Sequence, residues 1–301
     1  MSQQSDRAGL LFALAGFSTL SIGDAIIKGM ADAWPPTAMA TTRYVLAAIG
    51  LSAILAARQG WGAVFAMPRA GMHWLRGLSV AVASIAMFTA VWLMPLAEAT
   101  TITFMQPMIT AVLAGIFLSE RLRPSAIVAT LVAFGGVIVV LRPNFAEIGL
   151  AALLPLVCAF GMAVLMIANR AVAGVAGPLA MQVYISLTAS VFLIAATVVG
   201  HLSGAERFEM HWPELTVFLR CAFVAFSASV AHWLIYMGTL RAGAATVAPM
   251  TYGQLLAAVA LGWVFFGEAP DAIALLGAAI IVGAGLWLWY LGRARPSGAP
   301  S

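Results

Sequence analysis

The feature that most constrains this chain is a series of ten long apolar stretches that take up most of its length. Hydrophobic residues make up 63% of the sequence and charged residues only 9%, far below the roughly 25% charged residues of soluble domains. A helix of about 20 apolar residues crosses a bilayer, so each stretch predicts one membrane-spanning helix. The stretches are 10–27, 38–57, 75–94, 99–118, 126–141, 149–168, 179–199, 215–240, 242–266 and 272–291.

The composition of these stretches predicts an all-α integral membrane protein. They are rich in Ala, Leu and Gly and show no alternation of period two, which argues against an outer-membrane β-barrel. Cys158 and Cys221 both lie inside apolar stretches. Two widely spaced cysteines predict neither a disulfide framework nor a thiolate metal site, so we expect both to be packing residues.

Basic residues are divided unequally between the two faces of the predicted membrane protein. With a cytoplasmic N-terminus, ten of the fifteen Lys and Arg residues lie on the cytoplasmic side. The positive-inside rule then predicts a multi-pass inner-membrane protein whose tails, 1–8 and 292–301, are both cytoplasmic. No loop combines a dense basic cluster with interleaved aromatic residues, so we expect the lipid bilayer, and not nucleic acid, as a partner.

The two halves of the chain resemble each other. A shift of 148 residues aligns five identical pairs: Thr103 with Thr251, Gln106 with Gln254, Phe117 with Phe265, Glu120 with Glu268 and Gly135 with Gly283. Each half contains five predicted helices, an odd number, so the second half must cross the membrane in the opposite orientation. We therefore predict two inverted five-helix repeats, 9–141 and 149–291, an architecture that is frequent among secondary transporters.

Several segments resemble a known family. The segments 104–122 (FMQPMITAVLAGIFLSERL) and 260–268 (ALGWVFFGE) resemble the fourth-helix and ninth-helix signatures of EamA-type transporters of the drug/metabolite transporter superfamily. The string 21–28 (SIGDAIIK), followed by Arg43 and Tyr44, is similar to a subgroup linked to metabolites as different as S-adenosylmethionine and riboflavin. The resemblance covers about residues 9–291 and implies a metabolite carrier with ten helices, without indicating one substrate.

Three ionisable residues belong to the first two predicted helices. Such groups cost about 2.5 to 3.5 kcal/mol each within a bilayer and therefore indicate function. Asp24 and Lys28 are four residues apart on one helix face, which allows an ion pair, and Arg43 lies about 10 Å into the second helix. We predict substrate recognition by Asp24 and Arg43 and an Asp24–Lys28 gate or ion pair, with a structural ion network as the alternative. Two positive charges and one negative charge favour an anionic or zwitterionic substrate.

Polar and aromatic residues on corresponding helices complete the predicted binding site. Gln106 and Gln254 offer donors and acceptors to a neutral or zwitterionic ligand, although hydrogen bonds between helices are the alternative role. Glu268 and the aligned Glu120 follow the ends of corresponding apolar stretches, so we expect both to act at helix ends. The predicted substrate-binding residues are Asp24, Arg43, Thr103, Gln106, His232, Trp233, Tyr236, Thr251, Tyr252 and Gln254.

These features together predict a secondary transporter that moves a small polar metabolite by alternating access. The metabolite could be amino-acid-like, nucleoside-like or vitamin-like. The alternatives are an intramembrane lipid-modifying enzyme, which needs clustered catalytic or metal-binding groups, and a channel, which needs repeated charges or carbonyls. Asp24 is the one clearly intramembrane carboxylate and the four histidines are far apart, so we predict no catalytic residue, metal or cofactor. The sequence leaves open whether the protein forms a homodimer.

The charge asymmetry generates a topology prediction. A single cysteine introduced into loop 58–69 should resist a membrane-impermeant thiol reagent added to intact cells, whereas one in loop 204–211 should react. The reason is that the two loops are predicted on opposite faces. Labelling after lysis controls for the intrinsic reactivity of each position. Reaction of both positions in intact cells would contradict the predicted orientation.

Overall fold

A computed structural model describes residues 3–117, 124–242 and 247–293, and within these ranges the chain is helical and contains no strand. The α-helices are α1 (Gln3–Lys28), α2 (Pro36–Gln59), α3 (Trp61–Phe65), α4 (Ala70–Leu93), α5 (Leu96–Thr103), α6 (Gln106–Phe117), α7 (Pro124–Ile148), α8 (Leu154–Ala171), α9 (Pro178–Leu202), α10 (Leu215–Ala242), α11 (Tyr252–Phe266) and α12 (Ala272–Arg293). Three short 3-10 segments are Gly149–Leu153, Glu206–Phe208 and Ala248–Thr251.

The apolar helices confirm the predicted all-helical membrane class. Within the described ranges, nine helical segments are long and apolar enough to cross a membrane, and a further apolar helix, Ile127–Leu141 inside α7, is shorter. Their arrangement as ten spanning helices in two inverted repeats remains a prediction.

Prolines begin two helices that occupy corresponding positions in the predicted repeats. Pro36 is the first residue of α2 and Pro178 the first residue of α9, and a shift of 142 residues aligns the two. Proline suits this position because its missing N–H would have no partner in the first turn and its φ angle is already helical. The same local rule therefore acts at both corresponding helix starts.

The predicted fourth helix is interrupted next to its polar residues. It consists of α5, which ends at Thr103, and α6, which begins at Gln106 and has Pro107 as its second residue. In the second half, the 3-10 segment Ala248–Thr251, which contains Pro249, directly precedes α11. The shift of 148 residues places this segment about one turn before the first interruption. Both polar elements thus lie beside irregular backbone.

The main helix contacts form a pattern that is unchanged when the two halves exchange places. Helix α1 packs on α10 and α11, and its counterpart α8 packs on α4 and α6; α2 pairs with its counterpart α9, and α7 with α12. Phe104 and Tyr252, which the shift of 148 residues aligns, contact each other with ring centroids 5.3 Å apart in a T-shaped arrangement. Two equivalent five-helix halves would produce this pairing.

Glycines permit close approach where the paired helices meet. A Cβ atom added at Gly16 of α1 would lie 2.8 Å from the carbonyl oxygen of Ala231 on α10. On α12, one added at Gly277 would lie 2.8 Å from the carbonyl oxygen of Gly136 on α7. Small residues serve this purpose in membrane helix pairs, because backbones can then come into van der Waals contact.

Two adjacent glycines on α7 provide a stability test. A Cβ atom at Gly136 would lie 2.8 Å from Ile281 Cγ1 and 3.0 Å from the Gly277 carbonyl oxygen, whereas at Gly135 it would meet nothing within 4 Å. We expect Gly136→Ala to lower the stability of the folded protein by about 1 to 3 kcal/mol through overpacking. Gly135→Ala is the matched control and should melt at or slightly above the parent temperature in detergent. Equal melting temperatures for both variants would contradict the described α7–α12 contact.

Candidate functional site

A small cavity lies between α1, α2 and α10 and contains two opposite charges. Its volume is about 20 Å³, enough for roughly one water molecule. Asp24 of α1 and Arg43 of α2 are on its wall together with the hydroxyl-bearing residues Thr19 and Ser227. The structure therefore brings together Asp24 and Arg43, two of the residues that the sequence predicts for substrate binding.

Asp24 also meets Gln254, which belongs to the other half of the chain. The Asp24 carboxyl group lies within electrostatic range of Arg43 and close to the Gln254 side chain. One turn before Asp24, the buried Ser21 hydroxyl donates a hydrogen bond of 2.6 Å to the Gln254 backbone carbonyl. Two side chains on one face of α1 thus hold Gln254 of α11 against the site.

Aromatic rings hold the Arg43 guanidinium. Its central carbon lies 5.2 Å from the ring centroid of Tyr44 and 5.6 Å from that of Phe88 on α4, within the range of cation–π attraction. Ser84 donates a 3.2 Å hydrogen bond to the Tyr44 hydroxyl. Among the residues that the structure describes, Asp24 and Arg43 do not close into a direct salt bridge. Their charges remain separated across the cavity.

The structure contradicts the predicted Asp24–Lys28 ion pair, because Lys28 pairs with a different residue. Its Nζ atom forms a 2.7 Å salt bridge with Glu268 Oε1 and donates to the carbonyl oxygens of Val91 at 2.8 Å and Met94 at 2.9 Å. The spacing of four residues placed Asp24 and Lys28 on one helix face, but a stronger set of partners lies at the end of α4 and beyond α11.

The backbone at the end of α11 explains how Glu268 reaches Lys28. Gly267 adopts a left-handed conformation with φ of 68°. The Gly267 N–H donates to the Trp263 carbonyl, the hydrogen bond of an αL helix end, and the Glu268 N–H donates to the Gly262 carbonyl. Glu268 Oε2 accepts a 3.0 Å hydrogen bond from the Leu96 N–H, the first residue of α5. This confirms the predicted helix-end role of Glu268, while Glu120 lies outside the described residues.

The Lys28–Glu268 pair also changes the charge balance that the sequence predicts. Counting Lys28, Arg43 and Asp24 together leaves one excess positive charge, but Glu268 neutralises Lys28. What remains at the cavity is one carboxylate and one guanidinium, Asp24 and Arg43. The charges on the wall of this cavity are therefore opposite in sign and equal in number.

Three further predicted residues, His232, Trp233 and Tyr236, lie on α10. His232 lies within electrostatic range of Arg43. Ala231 and Ile235 contact Gly16 of α1, and Trp233, two residues from each, therefore points away from α1. Trp233 is 56% exposed and Tyr236 is 41% exposed. Trp233 and Tyr236 are therefore absent from the wall of the Asp24–Arg43 cavity, and their role in substrate binding stays a prediction.

The polar residues at the two helix interruptions make local contacts. The Thr103 hydroxyl donates to the Thr100 carbonyl at 2.7 Å, and the backbone carbonyl of Gln106 accepts from the Thr110 hydroxyl. Thr251 ends the 3-10 segment before α11. The Tyr252 ring packs on Phe104, and its hydroxyl lies against Gly285 of α12. Of the two predicted glutamines, Gln254 is the one that the structure places against Asp24.

Several residues of the site were missed in the sequence. Ser21 is one turn from Asp24 on the same face of α1, a spacing that could have indicated it. Tyr44 and Phe88 hold Arg43; Tyr44 stood out in the sequence only as part of the family resemblance, and Phe88 gave no signal because aromatic residues are frequent in the apolar stretches. Within the described ranges, no group of three His, Cys, Asp or Glu residues is arranged to hold a metal ion.

Comparisons with known proteins agree with the family resemblance. Residues 7–142 match the EamA-like transporter family, which confirms the resemblance predicted from the sequence. A riboflavin transporter of Rhizobium johnstonii is 27% identical over 248 residues, 82% of this chain and 68% of that protein. An S-adenosylmethionine uptake transporter of Rickettsia bellii is 27% identical over 221 residues, 73% of this chain and 72% of that protein.

Two further comparisons cover nearly all of the chain. A pseudopaline exporter of Pseudomonas aeruginosa is 24% identical over 283 residues, 92% of this chain and 94% of that protein. A protein of known crystal structure superposes with a TM-score of 0.62 at 20% identity, covering 98% of this chain and 100% of the other. At that identity the superposition shows a shared fold.

Proposed function

We propose that this chain, whose residues 7–142 match the EamA-like transporter family, is a secondary transporter of a small zwitterionic metabolite in the inner membrane. The observation that carries the proposal is the separated pair of charges, Asp24 and Arg43, on one cavity wall inside an apolar helical protein. Ionisable groups within membrane segments are expensive to bury and typically mark substrate or ion pathways. The relatives described above are named as a riboflavin transporter, an S-adenosylmethionine uptake transporter and a pseudopaline exporter, and none of the three is named as an enzyme.

Alternating access is the mechanism that we propose. Replacing each helix by its counterpart in the other half gives the same set of main helix pairs. This symmetry supports the predicted inverted repeats at 9–141 and 149–291. Two inverted halves can exchange roles around a central site and so expose it to either face. Asp24 and Arg43 come from the first half and Gln254 from the second, so relative movement of the halves would change the site.

The balanced charges favour a ligand with an α-amino-acid group. Its ammonium would face Asp24 and its carboxylate would face Arg43, while the Gln254 amide would hydrogen-bond between them. S-adenosylmethionine, the substrate in the name of one relative, carries such a group. Riboflavin, in the name of another, has no charge at neutral pH. Uptake of one compound and not the other therefore distinguishes a site that pairs with ligand charges from a site that recognises a neutral ring.

Uptake into liposomes containing the purified protein tests this proposal. We expect saturable uptake of radiolabelled S-adenosylmethionine or of one of the common α-amino acids, and competition by unlabelled zwitterions. Liposomes without protein and liposomes with heat-denatured protein are the controls. Uptake of riboflavin without uptake of any α-amino-acid compound would contradict the zwitterion class. Turnover of a lipid without movement of any solute would contradict transport itself.

Removal of either charge should weaken uptake of the zwitterion. We expect Arg43→Gln and Asp24→Asn each to lower uptake at limiting substrate by more than tenfold, because losing one partner of a poorly hydrated charge pair costs about 2 to 5 kcal/mol. Gln254→Ala should have a smaller effect of the same kind. Arg220→Gln is the matched control, since it removes an exposed arginine that donates to the Gly29 carbonyl. Unchanged uptake by folded Arg43→Gln protein would refute its assignment to the site.

A further inference from the structure

We propose that the Lys28–Glu268 salt bridge is a latch that holds the outer face of the transporter closed. The proposal rests on the alternating-access function proposed above. Lys28 ends α1 and Glu268 follows α11, and the predicted topology places both on the outer side. The pair thus joins the two halves of the chain at one face, where an outward opening would have to separate them.

All three donors of the Lys28 ammonium have partners in this closed arrangement. A lysine ammonium has three N–H bonds, and Lys28 Nζ meets three oxygen atoms at 2.7 to 2.9 Å, those of Glu268, Val91 and Met94. The Phe266 ring centroid is 5.5 Å away. The Lys28 side chain is 10% exposed, so it is held by the protein and does not extend to water.

Glu268 ties a further element to the same point. One carboxylate oxygen binds Lys28 and the other accepts the Leu96 N–H at the start of α5, where a helix end leaves N–H groups without internal partners. The end of α1 and the start of α5, both from the first half, therefore meet one side chain from the second half, and Lys28 joins the end of α4 to the same point. The hydrogen bonds of the Gly267 and Glu268 N–H groups to α11 fix the backbone that carries this side chain.

The position of the latch relates it to the site. Lys28 is four residues after Asp24, about 6 Å further toward the outer end of α1. A closed pair at this level lies between the Asp24–Arg43 cavity and the outer surface. Opening would break the pair but would also hydrate both charges, which offsets part of the lost attraction. An ion pair at this place can therefore open and close reversibly.

A thiol-labelling experiment tests the latch without any substrate. Cys158 and Cys221 are first replaced by alanine, and Ser227, which lies on the cavity wall, is replaced by cysteine as a reporter. A membrane-impermeant thiol reagent is then applied to the outer face of intact cells. We expect Lys28→Gln and Glu268→Gln to raise the labelling rate about tenfold or more, since each 1.4 kcal/mol lost by the closed state multiplies the open population by ten.

Matched variants separate the latch from a general loss of stability. Lys28→Arg keeps the charge and the donors and should label within about threefold of the parent rate. Arg220→Gln removes an outer-face charge that contacts neither Lys28 nor Glu268 and loses only the 3.4 Å hydrogen bond to the Gly29 carbonyl, so the rate should stay near that of the parent. Glu268→Gln keeps the side-chain shape and one acceptor oxygen, which can serve either Lys28 or the Leu96 N–H, so it provides a second test if Lys28→Gln does not fold. Gel filtration confirms which variants are folded.

Two results distinguish the latch from the transport proposal. Equal labelling rates for the folded neutralised variants and the parent would overturn the latch, even if transport is found. Faster labelling of both neutralised variants, with the parent rate in Lys28→Arg and Arg220→Gln, would support the latch even if no solute is transported. A rise of the same size in Arg220→Gln would also overturn the latch, because the effect would then follow outer-face charge in general.

Discussion

The structure depends on the unfavourable free energy of placing charged groups among apolar helices. An ionised side chain in a medium of low dielectric constant needs an opposite charge or several hydrogen bonds. Lys28 has three oxygen partners, and the buried Arg76 contacts His73, Asn169 and the Met181 carbonyl. Each set joins helices from both halves of the chain. These two polar clusters therefore connect the two halves of the chain.

The charged cavity differs from these fully partnered groups. Asp24 and Arg43 lie on the same cavity wall without a direct salt bridge between them among the described residues. Aromatic rings and an amide hold the two charges, which leaves each able to meet a further partner. This separation, beside the closely partnered Lys28 and Arg76, is the reason that we propose the cavity as a binding site.

Helix position and class were predictable because apolar length and local backbone rules act on neighbouring residues. The starts of α2 and α9 at Pro36 and Pro178 follow from proline itself. The ion pair was predicted incorrectly for a related reason: spacing along one helix identified Asp24 as a neighbour of Lys28, but Glu268 belongs to a distant segment. The opposite charges of Lys28 and Glu268 at predicted outer helix ends were the available signal.

The sequence by itself determined a helical membrane protein, its approximate helix positions, its family resemblance and Asp24 and Arg43 as candidate residues. These follow from apolar length, motifs and the expense of charge in a bilayer. The tertiary structure decided that Lys28 pairs with Glu268, that Gln254 meets Asp24 and that Trp233 points outward. Such contacts depend on how distant helices pack, because the helical period specifies a face of one helix but not the helix that it meets.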